Sequence, residues 1–170
     1  MKLKTFYDYV LESNKKLSNK ILYDSKSGWY HQVGISSSCC LPIAMANLCV
    51  YLNMEVPSMD QEFVEDVAHC DNGAAIGREK LLKYFNLYDK VKQTSDKEKA
   101  VSEVCIFTMM HSKYNLHAVL NLPHSKSSDK TDIVNPILDN QIVKTFNKKD
   151  FLEYTLPDGN INNRYFILKY

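Results

Sequence analysis

The sequence predicts an α+β fold, with helices gathered in the first half and an antiparallel sheet in the second. Three observations carry this. The apolar pattern has helical period up to about residue 86 and strand-like period from about residue 104 onward. Residues 40–52, CLPIAMANLCVYL, are apolar on nearly every face, the mark of a buried helix. The length of 170 residues, with 45% hydrophobic and 24% charged residues, fits one globular domain over 1–170.

Each element follows from local chemistry. Leu3, Phe6, Tyr7, Val10 and Leu17 form a loose amphipathic stripe, which predicts a helix over 1–20. Residues 25–38, with Gly28, Gly34 and the run Ser36-Ser37-Ser38, read as a loop. Ser38 caps the buried helix, Pro42 is tolerated in its first turn, and Asn53 and Pro57 close it. Ser58 with Gln61 and Glu62 signals a further helix to about Ala68, and another is expected over 76–86, ending at Asn86. The charged stretch 90–99 reads as loop and a short helix. Strands are expected at 104–110, 117–122, 132–137, 141–146 and 164–170, with a short helix at 148–154.

Several function classes are disfavoured. Lys+Arg is 21 and Asp+Glu is 20, so the net charge is +1, which gives no field for steering nucleic acid or an anionic membrane. Only Arg78 and Arg164 are arginines, which weakens phosphate recognition further. No apolar run approaches the ~18 residues of a membrane span, and no signal-peptide apolar region is expected. Cys39, Cys40, Cys49, Cys70 and Cys105 are odd in number and form no CxxC pair. They read as reduced thiols in a cytosol-like compartment, cytoplasmic or in the cytosol of a host or target cell into which the protein is delivered. His and Cys are scattered, with no helical i, i+4 pair, so no metal is expected.

One constellation stands out. Cys40 opens the buried helix, where unpaired N–H groups favour a thiolate. His117 opens a strand 77 residues later, and Asn135 ends the next strand after 18 more. Nucleophile, base and orienting amide occur in the order of a Cys-His-Asn triad. Gln32, eight residues before Cys40, can donate to an oxyanion together with the Cys40 N–H. Plainer readings stand beside each. Cys49 and Cys105 suit core packing, and Cys70 is read as structural. His31, His69, His111 and His124 suit surface or structural roles, His111 being the nearest competitor for the base. Asn135 before Pro136 also starts turns. Asp66, His69, Cys70 and Asp71 suit a solvated helix end. Trp29, Tyr30 and Tyr7 suit core or the wall of a substrate cleft.

These motifs resemble the papain-like cysteine peptidases, and among them the bacterial branch that trims bacteriocin leader peptides. The likeness lies in a Gln, a short loop and SCCLPIAMANLCVYLN, then HAVLNL, VNPILD and the helix KDFLEY, over roughly residues 28–155. The resemblance implies a papain-like fold with the catalytic helix packed on the sheet. By position it makes Cys40 the nucleophile, His117 the general base, Asn135 the orienting residue and Gln32 the oxyanion donor. Cys39, one residue earlier, is the alternative nucleophile; Pro42 favours Cys40. Leu41 and Asn53 stand where that branch usually has Gly. The function implied is thiol acyl transfer on a protein or peptide, most simply cleavage of a peptide or isopeptide bond, and it implies no cofactor. Two alternatives share the scaffold: a glutamine deamidase or transglutaminase-type effector or toxin, and an inactive papain-like binding module. An activating or inhibitory protein partner fits any of the three.

Overall fold

The computed structural model describes residues 20–33, 40–60, 63, 75–109, 117–134, 142–153 and 165–169. Strands β1 (Lys20–Asp24) and β2 (Trp29–Val33) form an antiparallel hairpin. Helices α1 (Cys40–Tyr51) and α2 (Ala75–Tyr84) follow. Then come β3 (Val91–Thr94), α3 (Lys97–Val101), β4 (Cys105–Met109), β5 (His117–Pro123), β6 (Lys130–Val134), β7 (Val143–Asn147), α4 (Lys148–Glu153) and β8 (Tyr165–Leu168). The six later strands make one sheet in the order β3-β8-β4-β5-β6-β7. Every neighbouring pair in it is antiparallel, so the fold is α+β.

Side-chain alternation divides the core between the two faces of this sheet. Ile106, Ala118, Leu120, Val134, Phe166 and Leu168 join the side chains of α1 and α2 on one face. Cys105, Phe107, Val119, Ile133, Tyr165 and Ile167 meet α3 and α4 on the other. Residues Cys40 to Cys49 of α1 are all buried, which is why that helix needed no polar face. On the second face Phe107 lies 4.4 Å from Tyr165 and 5.1 Å from Phe151, centroid to centroid. The same face holds a buried amide. Asn121 donates to the carbonyls of Val101 (3.1 Å) and Glu103 (2.9 Å) and accepts from the Thr131 hydroxyl. It thereby satisfies carbonyls left open where α3 ends.

Helices α1 and α2 end alike. Asn53 (φ 56°) and Asn86 (φ 58°) adopt the left-handed conformation. Met54 N–H reaches the Cys49 carbonyl and Leu87 N–H the Leu82 carbonyl, both at 2.8 Å, closing a Schellman motif on each helix. Asparagine tolerates this conformation better than other non-glycine residues.

Two expectations change. Within the expected loop 25–38, residues 29–33 form β2. The Gly and Ser cluster is the hairpin tip, where Gly28 takes φ 81° and its N–H meets the Asp24 carbonyl at 2.8 Å. Within 90–99, residues 91–94 form β3. This edge strand buries only Val91 fully, so its apolar alternation is too weak to mark it; pairing with β8 holds it. Strands therefore both precede and interrupt the helical half. The helix expected over 1–20 lies outside the described residues except for Lys20, which belongs to β1. Most of the helix expected over 58–68 also lies outside them. Phe63 is helical there, and its N–H donates to the Asp60 carboxylate at 2.9 Å, an N-cap bond at Asp60 rather than Ser58.

Candidate functional site

Cys40 is the first residue of α1, and α1 packs across β5. Its side chain is 4% exposed. Burial pushes the thiol above its ordinary range. Three main-chain N–H groups oppose that push: Ala118 of β5, then Leu41 and Cys40 itself at the helix start. The helix-terminus effect expected from the sequence is therefore present, but desolvation outweighs it here.

Ala118 follows His117, so the Cys40 sulfur meets the main chain one residue from the candidate base. His117 is the first residue of β5 and pairs with Met109 of β4. Asn135 lies outside the described residues. It follows Val134, the last residue of β6, which pairs with Leu120 three positions along β5 from His117. Gln32 lies in β2 opposite Ile21. Cys39, Cys70, His69 and His111 lie outside the described residues. Leu41 is buried in the core beneath α1.

The other described cysteines behave differently. Cys49 donates its S–H to the Phe85 carbonyl at 3.6 Å, and Cys105 donates to the Ile106 carbonyl at 3.3 Å. Burial pushes the Cys49 thiol up to about 11 and the Cys105 thiol well above its usual value. Both are free thiols that suit core packing, as is Cys40 by oxidation state.

Sequence reasoning missed Asn47. This fully buried amide on α1 accepts from the Tyr30 N–H at 2.7 Å and donates to the Tyr30 carbonyl at 3.2 Å. Tyr30 is opposite Tyr23 in the hairpin, so its outward main-chain groups are completed by a side chain where another strand would sit. A lone Asn in an otherwise apolar helix was the available signal. Trp29 and Tyr30 are half-buried against the core beneath α1, and the Tyr23 and Tyr30 rings meet edge-on at 5.3 Å.

Other polar groups lie elsewhere. His124, just beyond β5 at the end opposite His117, places Nδ1 at 2.9 and 3.1 Å from the Asp132 carboxylate oxygens. Asp132 also accepts from Thr145 at 2.6 Å. A cavity of about 630 Å³ lies between α3, α4 and the β5–β6 turn, lined by Lys97, Lys148 and Lys149 together with Glu98, Asp129 and Glu153. Among the described residues no group of three or more His, Cys, Asp or Glu could hold a metal ion, and no helix is long and apolar enough to cross a membrane. No family model matches the chain, and no curated protein matches it.

Proposed function

We propose that this chain is a papain-like thiol acyl-transfer enzyme, acting as a cysteine peptidase on a peptide or isopeptide bond. One observation carries the reading: Cys40, at the N-terminus of a buried helix, has its sulfur against the Ala118 N–H beside His117 on the central strand β5. The near-neutral charge fits a protein or peptide substrate better than a nucleic acid, and the free thiols fit a reducing, cytosol-like compartment.

In this reading His117 takes the Cys40 proton and the thiolate adds to the substrate carbonyl. The carbonyl electron pair moves to oxygen, where the Cys40 N–H and Gln32 receive it. Collapse expels the amine, which takes its proton from His117. Water then adds to the thioester, releasing the acid and restoring the thiol. Asn135 orients the imidazole. Burial alone raises the Cys40 thiol, so the thiolate needs a positive partner, and dependence on His117 becomes the deciding readout.

The test is iodoacetamide alkylation of the native protein across pH, read peptide by peptide by mass spectrometry. Cys40 is expected to react well below the free-thiol value of about 8.5 and to lose that reactivity in His117→Ala. Labelling of Cys39 instead moves the nucleophile by one residue. Reaction of Cys40 only at alkaline pH overturns the enzyme reading for the isolated chain. The buried, raised thiol specifically favours one second reading, an inactive or partner-activated module, and that outcome would support it. With a substrate in hand, ammonia release without chain cleavage would mark the deamidase alternative.

A further inference from the structure

We infer that Asn47 is a positioning residue for the acyl-transfer site: it locks the strand bearing Gln32 onto the helix bearing Cys40. The inference rests on the proposed function and adds a residue to it.

Hairpin β1–β2 pairs with no strand of the six-stranded sheet. Its attachment to the body of the molecule is therefore made by side chains. Among the described residues Asn47 supplies two polar bonds of that attachment, to the N–H and the carbonyl of Tyr30. An amide is suited to this, since it offers one acceptor and a donor at the spacing of a peptide group. Asn47 lies seven residues after Cys40. At 3.6 residues per turn the two share a helix face, about 10 Å apart along the axis. Gln32 lies two residues after Tyr30, about 7 Å along the strand. In an antiparallel ladder, main-chain groups of residues two apart point to the same edge. The main-chain edge that Asn47 seals at Tyr30 is thus the main-chain edge of Gln32 as well, so the polar anchor of the strand lies two residues from Gln32. A leucine would keep the apolar contact and lose both bonds.

Two probes of Cys40 separate positioning from general damage. A peptidyl aldehyde adds the thiol across its C=O: the C–S bond forms, the π pair passes to oxygen, and the thiol proton ends there as a hemithioacetal. Before that proton arrives the oxygen carries the negative charge, which an oxyanion donor stabilises. Iodoacetamide is displaced by the thiolate with loss of iodide and develops no oxyanion. Gln32→Ala is expected to weaken aldehyde addition about a hundredfold and to change alkylation less than about twofold. Asn47→Leu should show the same split, at about tenfold or more on the aldehyde, and combining it with Gln32→Ala should add little. Asn47→Asp, which keeps the bond from Tyr30 N–H, should recover part of the loss. Aldehyde addition and alkylation falling together in both Asn47 variants would overturn the inference, as would a Gln32→Ala protein that adds aldehyde normally. In those cases His117-dependent alkylation of Cys40 in the unaltered chain leaves the acyl-transfer reading standing. If Cys40 takes neither probe below about pH 8.5, that reading falls and the inference with it.

Discussion

Both faces of the six-stranded sheet bury cysteine and asparagine, Cys40, Cys49 and Asn47 on the first and Cys105 and Asn121 on the second, and Cys40 and Asn47 stand apart from the rest. On the second face, Cys105 donates to a carbonyl and Asn121 ties the end of α3 to β5 and β6, so every group is spent inside the core. On the first face, the Cys40 sulfur meets main-chain N–H groups, and Asn47 reaches outward to a hairpin that the sheet does not hold. A thiol that donates is being stored as a thiol. At Cys40 the main-chain N–H groups oppose, without overcoming, the rise that burial causes. In the proposed reading the first face carries the nucleophile and the second face serves as scaffold.

The largest effect should come from breaking the scaffold. Phe107 is fully buried between Tyr165 and Phe151. Phe107→Ala should cost about 3–5 kcal/mol in urea unfolding. If the two faces are separate in function, the pH profile of Cys40 alkylation in the remaining folded protein should not move. A changed profile would show that the site depends on packing across the sheet.

The two asparagines sharpen the comparison. Asn121→Leu strands the buried Val101 carbonyl and the part-buried Glu103 carbonyl, while the Thr131 hydroxyl keeps the Leu122 carbonyl, at about 2–3 kcal/mol. Asn47→Leu strands the main-chain groups of Tyr30, which is only half-buried, so water recovers part of the loss and about 1 kcal/mol is expected. Urea unfolding of the two variants should therefore rank Asn121 first, while aldehyde addition should rank Asn47 first. The same order in both measurements would erase the distinction between scaffold and site.

The thiols give a pH dependence whose sign is fixed. Burial raises Cys40, Cys49 and Cys105 in the folded chain, so the native state keeps protons that the unfolded chain releases. Their contribution is whole below the unfolded thiol value of about 8.5 and is lost as pH rises through the folded values, which for Cys49 is about 11. Urea unfolding at increasing pH should show stability falling over that window, and Cys105→Ala should flatten the fall. Should His117 hold a thiolate at Cys40, Cys40→Ala would leave the slope unchanged, whereas an unpaired buried thiol there would make the same variant flatten it.

What could be read beforehand followed the strength of local signals. The all-apolar run around Met45 predicted α1 to within a residue, and HAVLNL predicted β5, because burial on both sides leaves an unmistakable pattern. Strands β1, β2 and β3 were missed. Trp29-Tyr30-His31-Gln32-Val33 pairs with the neighbouring β1 but gains its anchor from Asn47, 17 residues on from Tyr30, and β3 gains its place from β8; these two partners are distant in sequence. At the site, the residue types and their order were visible. The burial of Cys40 and the N–H of Ala118 were not, since both arise only when α1 lies across β5.

The smallest effects concern how the two first-face helices end. Asn53 and Asn86 are both exposed and left-handed. Replacement by Ala should cost about 1 kcal/mol at either position, because a β-carbon without a compensating polar group is disfavoured there. Replacement by Gly should change stability by under about 0.5 kcal/mol, since easier φ is offset by a freer unfolded chain. Asn53 closes α1, the helix that carries Cys40 at its other end, twelve residues long. Because Cys40 is held at that end by Ala118 and the buried core, Asn53→Ala should lower the urea midpoint and leave the alkylation rate of Cys40 unchanged. A slowed rate would mean that the far end of α1 sets the position of the sulfur.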